Sequence, residues 1–212
     1  MIIFGSSLSP FVRKVLAFAA EKGIALELRA VGLGSQDPEF LAASPFRKMP
    51  AMQDGDFTLS DSTAIVTYLE ALHPEPALIP TELRARARTI WFDEFADTLV
   101  FKPIGAMFFN RIVSPRFLGQ PGDLAAADKA QAEEVPPLLD YLEGQLPASG
   151  FLVEDRLTLA DIAVASPFVN FDHCGCGIGD RPKLKAYVEA ILARPSFADW
   201  IAREKGFLAK AA

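Results

Sequence analysis

Residues suited to holding a small anionic ligand cluster between Ser44 and Leu72, in SPFRKMPAMQDGDFTLSDSTAIVTYLEAL. Met49-Pro50 stands before an apolar run that reads as a strand. Proline has no N–H for a sheet ladder and belongs at a strand start or edge, so the main chain of Met49 is left for a partner other than sheet. Asp54-Gly55-Asp56 reads as a tight turn and Thr58-Leu59 as the returning strand. Ser60-Asp61-Ser62 then opens a helix whose Ile65, Val66, Leu69 and Leu72 share a broad face. The first N–H groups of such a helix attract a carboxylate or phosphate, although Asp61-Ser62 reads equally as a plain N-cap pair. An open-edged residue before a proline and an anion-binding helix end, on either side of one hairpin, suggest a small anionic peptide as ligand. A hydroxyl at another helix start, Ser9 before Pro10, reads from the residues alone as a cap, because proline at the first helical position loses nothing by lacking its own N–H.

These groups need a framework, and the chain before and around them supplies one. Met1 to Phe4 reads as a central buried strand ending at Gly5. A helix from Ser9-Pro10 to about Lys22 places Phe11, Val12, Val15, Leu16, Phe18 and Ala19 on one side and Arg13, Lys14, Glu21 and Lys22 in water, with Gly23 as its stop. Leu26 to Val31 alternates as a strand, and Asp37-Pro38 opens a short helix ended by Ser44-Pro45. The order β-α-β-α-β-β-α contains a right-handed βαβ unit to which the later hairpin adds antiparallel strands, a thioredoxin-like arrangement. The prolines of His73 to Pro80 mark a linker.

Beyond Thr81 the pattern is helical throughout. Arg84 to Asn110 reads as a long helix kinked or broken at Pro103 and Gly105, Pro115 to Gly122 as a loop, and Leu124 to Leu146 as a helix distorted at Pro136-Pro137. Thr158 and Asp161 form a structural capping box ahead of the buried run Ile162 to Phe171. Pro182 to Arg194 is a further helix, and Ser196 caps a last one that reaches Glu204 with Gly206 at its end. The fold class is therefore α+β: a thioredoxin-like N-terminal domain over 1–78, a linker over 79–83, and an all-α helical-bundle C-terminal domain over 84–212.

With 212 residues, half of them apolar, the chain can bury its own core without staples. Its net charge of −6 and pI near 5.0 offer no basic field, which argues against nucleic acid or an anionic membrane as partner. The positive mean hydropathy of +0.21 reflects core, since charged residues interrupt every long apolar segment before the ~20 uncharged residues of a membrane span accumulate. MIIFGSS has no basic leader, and Cys174 and Cys176, one glycine apart, make a poor disulfide framework; both suggest a cytoplasmic protein. Asp172-His173-Cys174-Gly175-Cys176 gathers metal-type ligands, but the spacing is not that of a zinc site, so no metal is expected and the thiols read as buried near a helix end.

The motifs SPF-xx-K-V, S-P-F-x-K-M-P, D-S-T-A-I-x-x-Y-L-E and L-x-L-A-D-I-A, in this order across essentially the whole chain, resemble those of the cytosolic glutathione transferases. The resemblance is to a bacterial, serine-type member of tau-, omega- or zeta-like kind. It implies a cis bond before Pro50, with the main chain of Met49 pairing the cysteinyl part of glutathione and Phe11 beside it. Lys48 is implied to lie near the glycyl carboxylate, Ser62 and the helix start to take the γ-glutamyl carboxylate, and Asp61 its ammonium, one methylene shorter than the Glu of many relatives. Ser9 matches the active hydroxyl of the tau-type S-P-F motif, where omega-type members carry Cys, and Ser6 and Ser7 compete for the role as in zeta-type members. The implied protein is a homodimer that takes glutathione as co-substrate and conjugates it to an apolar electrophile. Among Trp91, Phe92, Phe95, Phe108, Phe109 and Phe168, mostly core, some would line the electrophile's pocket. The same fold also serves non-catalytic adaptors and glutathione-dependent isomerases or dehalogenases.

Overall fold

Ile2–Gly5 (β1) places Ile3 and Phe4 in full burial, as the apolar opening requires of a central strand. The computed structural model describes residues 1–210, which divide into two units, Met1–Ile79 and a second beginning at Pro80. In the first unit β1 is followed by α1 (Pro10–Glu21), β2 (Glu27–Ala30), α2 (Pro38–Ala43), β3 (Ala51–Asp54), β4 (Phe57–Ser60) and α3 (Ser62–Leu72). The four strands form one sheet in the order β2-β1-β3-β4. β2 runs parallel to β1, while β3 and β4 add to it antiparallel, so the βαβ unit and the appended hairpin are as the residue pattern predicts.

α1 packs on α3. Gly5 is required where β1 meets α1: a Cβ there would lie 2.5 Å from Cγ2 of Val12. Gly5→Ala must push that fully buried valine aside, and overpacking of this kind costs about 1–3 kcal/mol, measurable as a lowered midpoint in denaturant unfolding.

The outer face expected for α1 is not outer. Arg13, Lys14 and Lys22 are 0%, 1% and 7% exposed. Lys14 Nζ donates to Thr63 Oγ1 at 3.3 Å. Lys22 Nζ meets the Glu70 carboxylate at 2.6 Å and the Pro76 carbonyl at 2.7 Å, and the other Glu70 oxygen accepts from the Ile79 N–H at 3.0 Å. Long cationic stems can cross an apolar interface when their heads find such partners, which helical periodicity on one element does not reveal.

In the second unit a nearly unbroken helical path runs from Leu83 to Phe117: α4 (Leu83–Glu94), a π-helical turn (Phe95–Val100), α5 (Phe101–Phe108), a second π turn (Phe109–Val113) and α6 (Ser114–Phe117). The expected break at Pro103 and Gly105 does not occur. Both lie inside α5, and the irregular turn sits just before the proline, where widened hydrogen bonding can absorb a missing donor. Likewise Pro115 begins no loop; it occupies the first turn of α6, where its missing N–H is harmless. α7 (Leu124–Lys129) and α8 (Val135–Gln145) are joined by a third π turn, Ala130–Glu134, which places the expected distortion immediately before Pro136-Pro137. α9 (Leu159–His173) is buried on every face from Leu159 to Phe171 and packs on both α4 and α5.

α10 (Pro182–Leu192) and α11 (Pro195–Lys210) follow. α11 continues through Gly206, where a stop was expected, because Phe207 stacks on Phe117 at 5.4 Å and Leu208 is buried. Packing here outweighs the ~1 kcal/mol propensity penalty of one glycine. Among the described residues no helix is long and apolar enough to cross a membrane.

Candidate functional site

The strand register of the first unit gathers three segments that are far apart in sequence. Phe4 of β1 pairs with Ala51 of β3, and Ala51 pairs with Ser60 of β4, so these three residues form one row across the sheet. Because the strands alternate in direction, the loop Ser6–Ser9 that leaves β1, the Met49-Pro50 pair that enters β3 and the Asp61-Ser62 pair that leaves β4 all emerge at the same end. Adjacent strands are ~4.8 Å apart, so the row is ~10 Å long, about the length of an extended tripeptide.

At the first of these segments Ser9 is the N-cap of α1, with extended backbone at φ −78° and ψ 124°. Its N–H closes a turn onto the Ser6 carbonyl at 2.9 Å and its carbonyl accepts from the Arg13 N–H at 2.9 Å. The side chain makes no capping hydrogen bond, so the reading of Ser9 as a plain cap lacks its defining contact. Ser6, Ser7, Ser9 and Phe11 are all half-buried, and burial alone does not rank the three hydroxyls.

At the second segment the Met49-Pro50 bond is cis, as the resemblance implies. Pro50 is buried, Met49 half-buried and Lys48 exposed. Sheet pairing on β3 starts only at Ala51, which leaves Met49 outside the ladder. Ser44, read from sequence only as a helix end, proves to hold this arm: its hydroxyl accepts from the Lys48 N–H at 2.9 Å and donates to the Lys48 carbonyl at 2.7 Å. The sequence offered no clear signal for this contact, because side-chain-to-backbone turns of serine reach two or three residues ahead or three to four back, and Lys48 lies four ahead.

At the third segment Asp61 is the N-cap of α3, its carboxylate accepting from the Ala64 N–H at 2.9 Å. The capping reading therefore holds for Asp61. Its backbone, however, sits at φ +87° and ψ 129°, a conformation that costs an L residue on the order of 1–3 kcal/mol and tends to persist where a ligand needs it. Ser62 follows as a buried first helical residue. Lys14, missed from sequence, brings its buried ammonium to Thr63 in this same first turn.

In the second unit Phe92, Phe95, Phe108 and Phe168 are core, whereas Trp91 and Phe109 are 50% and 42% exposed. Trp91 Nε1 donates to the Tyr141 hydroxyl at 3.3 Å and its ring lies 6.1 Å from Phe95. The metal-type cluster does not converge: His173 turns to Glu204 at 3.0 Å, and Cys176 Sγ lies 3.5 Å from an Arg111 guanidinium nitrogen. Among the described residues no three His, Cys, Asp or Glu side chains are grouped to hold a metal. Both thiols are half-buried; burial pushes Cys174 up to about 12 and raises Cys176 against the opposing pull of Arg111, so neither is poised as a nucleophile.

The chain matches the family model for the glutathione S-transferase N-terminal domain over residues 3–77 and that for the C-terminal domain over residues 103–195. It is 33% identical over 210 residues to glutathione S-transferase 3 of Zea mays, covering 94% of this chain and 92% of that protein. Among solved structures, a glutathione S-transferase from Rhodospirillum rubrum F11 superposes with a TM-score of 0.86 at 26% identity, covering 94% of this chain and 90% of that one. A theta class glutathione S-transferase from Xanthomonas axonopodis pv. citri, solved with glutathione bound, does so with a TM-score of 0.82 at 26% identity, covering 94% and 96%. With both domain models matched in order and a relative similar along nearly its full length, this chain belongs to the glutathione S-transferase family.

Proposed function

We propose that this protein is a serine-type glutathione transferase that activates the thiol of glutathione with Ser9 and delivers the thiolate to an apolar carbon electrophile. The observation that carries the reading is the row Phe4–Ala51–Ser60, which brings a helix-start hydroxyl, an unladdered residue before a cis proline and a capped helix start to one end of the sheet. Met49 would pair its main chain with the cysteinyl backbone beside Phe11 and Pro50. Lys48 would meet the glycyl carboxylate, Ser62 and the start of α3 the γ-glutamyl carboxylate, and Asp61 the ammonium.

The Ser9 hydroxyl would donate a hydrogen bond to sulfur at the start of α1, favouring thiolate over thiol as the proton leaves to solvent. The thiolate then forms the new carbon–sulfur bond as the carbon's bond to its leaving group, chloride in a chlorinated nitroaromatic, breaks and takes its electron pair to solvent. Ser9 stabilises charge without becoming a nucleophile. Residues 1–78 serve as the glutathione domain and 84–212, joined through 79–83, as the domain for the electrophile. The S-P-F sequence supports the serine type within the tau-, omega- or zeta-like range, and the likeness to the Rhodospirillum rubrum protein supports a bacterial origin. A cytoplasmic homodimer fits the family resemblance.

Calorimetric titration with glutathione is expected to show binding at or below millimolar concentration, and a chlorinated nitroaromatic to be turned over in its presence. Absence of binding at millimolar glutathione would overturn the proposal in favour of a non-catalytic adaptor. Release of halide or an isomerised product without a conjugate would move the chemistry to dehalogenation or isomerisation.

A further inference from the structure

We infer that Ser44 is a positioning residue for glutathione, setting the arm that presents Lys48 and Met49; the inference rests on the glutathione-site reading above. Ser44 ends α2 and is 1% exposed. A serine hydroxyl has one proton to give and lone pairs to receive with, and here both capacities are spent on a single residue. The Lys48 N–H donates to Oγ at 2.9 Å, and Oγ donates to the Lys48 carbonyl at 2.7 Å.

The two peptide planes that flank the Lys48 Cα are therefore held by one buried atom. The second of those planes is also the peptide entering Met49, so the clamp sets how the chain arrives at the Met49-Pro50 bond. Between the anchors the Arg47 N–H closes a turn onto the Ser44 carbonyl at 2.9 Å, with Arg47 at φ +56°. Pro45 and Pro50 have no N–H with which to replace these bonds. Lys48 itself is exposed, so without the hydroxyl its main chain would be solvated and mobile, and the ligand would have to order the arm on binding.

The test is Ser44→Ala and Ser44→Thr, with kcat and KM for glutathione, direct glutathione binding by calorimetry and the melting temperature measured together. Ser44→Ala is expected to raise the KM and Kd for glutathione about tenfold while kcat stays within about twofold, the signature of lost uniform binding. Ser44→Thr, which keeps the hydroxyl, is expected to return KM to within about threefold of the parent protein. If Ser44→Ala does not fold, Ser44→Cys, whose thiol cannot hold both short bonds, carries the same measurement. A parent protein that fails to bind glutathione overturns the site reading itself. A parent that binds, with Ser44→Ala unchanged in KM, overturns only the role of Ser44, as does a variant whose melting temperature falls while KM does not move.

Discussion

Replacing Ser9 with alanine is expected to lower kcat/KM for conjugation by about 5–50-fold at pH 6.5 and to leave the KM for glutathione within about twofold. The range follows from two opposed effects. A hydrogen bond from Ser9 plus the start of α1 can supply the ~2.7 kcal/mol that lowers a thiol pKa from ~8.5 to ~6.5, and losing it cuts the thiolate fraction about 50-fold at pH 6.5. The thiolate of higher pKa is intrinsically the better nucleophile, which returns up to about tenfold.

Only the thiolate fraction depends on pH. The parent's advantage shrinks as the pH rises toward 9, where glutathione ionises without help and the variant's more basic thiolate can match or exceed it, and grows as the pH falls. Ser6→Ala and Ser7→Ala are expected to stay within about threefold of the parent across this range, since the structure gives the helix-start position to Ser9 alone. A pH–rate profile of the three variants decides the matter. An unchanged Ser9→Ala profile removes Ser9 from the mechanism, and a loss in Ser6→Ala or Ser7→Ala instead transfers the role to that hydroxyl.

The largest effect on stability is expected at Asp161. This fully buried carboxylate accepts from the Leu152 N–H at 2.9 Å, the Thr158 N–H at 2.9 Å and the Thr158 hydroxyl at 3.2 Å, closing the capping box of α9 and pinning the loop before it. Asp161→Ala strands these donors in the interior; with each buried orphan worth ~1–3 kcal/mol, a total loss of about 4 kcal/mol is expected. In a chain of this size that corresponds to a melting temperature lower by about 8–16 °C.

Burial nevertheless outweighs the hydrogen bonds and pushes Asp161 from 3.8 up to about 6. The folded state thus binds the Asp161 proton more tightly than the unfolded chain, and the contribution of this group to stability is fullest below 3.8 and is lost as the pH rises through about 6. Asp161→Asn cannot titrate and should lack that slope, so the stability difference between parent and Asp161→Asn is expected to change between pH 4 and pH 7, within the ~4–7 range bracketing the two values. Denaturant unfolding across that interval measures it. A flat difference would show that the hydrogen bonds compensate the buried charge in full.

Much of the framework is legible in the residues because it depends on neighbours in the chain. The alternation of Leu26 to Val31, the proline at the start of α1, the Asp54-Gly55-Asp56 turn and the Thr158-Asp161 box are local signals, and each corresponds to an observed element. What depends on packing was read less well. Arg13, Lys14 and Lys22 look solvated on a helical wheel but are buried, Lys14 reaching Thr63 of α3 and Lys22 reaching Glu70 of α3 and the Pro76 carbonyl. Gly206 looks like a terminator, but the stacking of Phe207 on Phe117 carries α11 past it. Pro103 looks like a kink or break, but it lies inside α5 and a π turn just upstream accommodates it.

The same division holds at the site. Residue types alone mark candidate parts, the strand-entering proline after Met49 and the anion-attracting helix start at Asp61-Ser62. Ser9, by contrast, reads from the residues alone as a cap, and its hydroxyl is singled out only by the family resemblance. Propensity and capping act over a few residues, so sequence could name these parts but not assemble them. Their assembly came only from the antiparallel register that aligns Phe4, Ala51 and Ser60, and from the buried Ser44 hydroxyl that fixes the arm between them. Register and buried hydrogen bonds join positions through space, and they exist only once the sheet has formed.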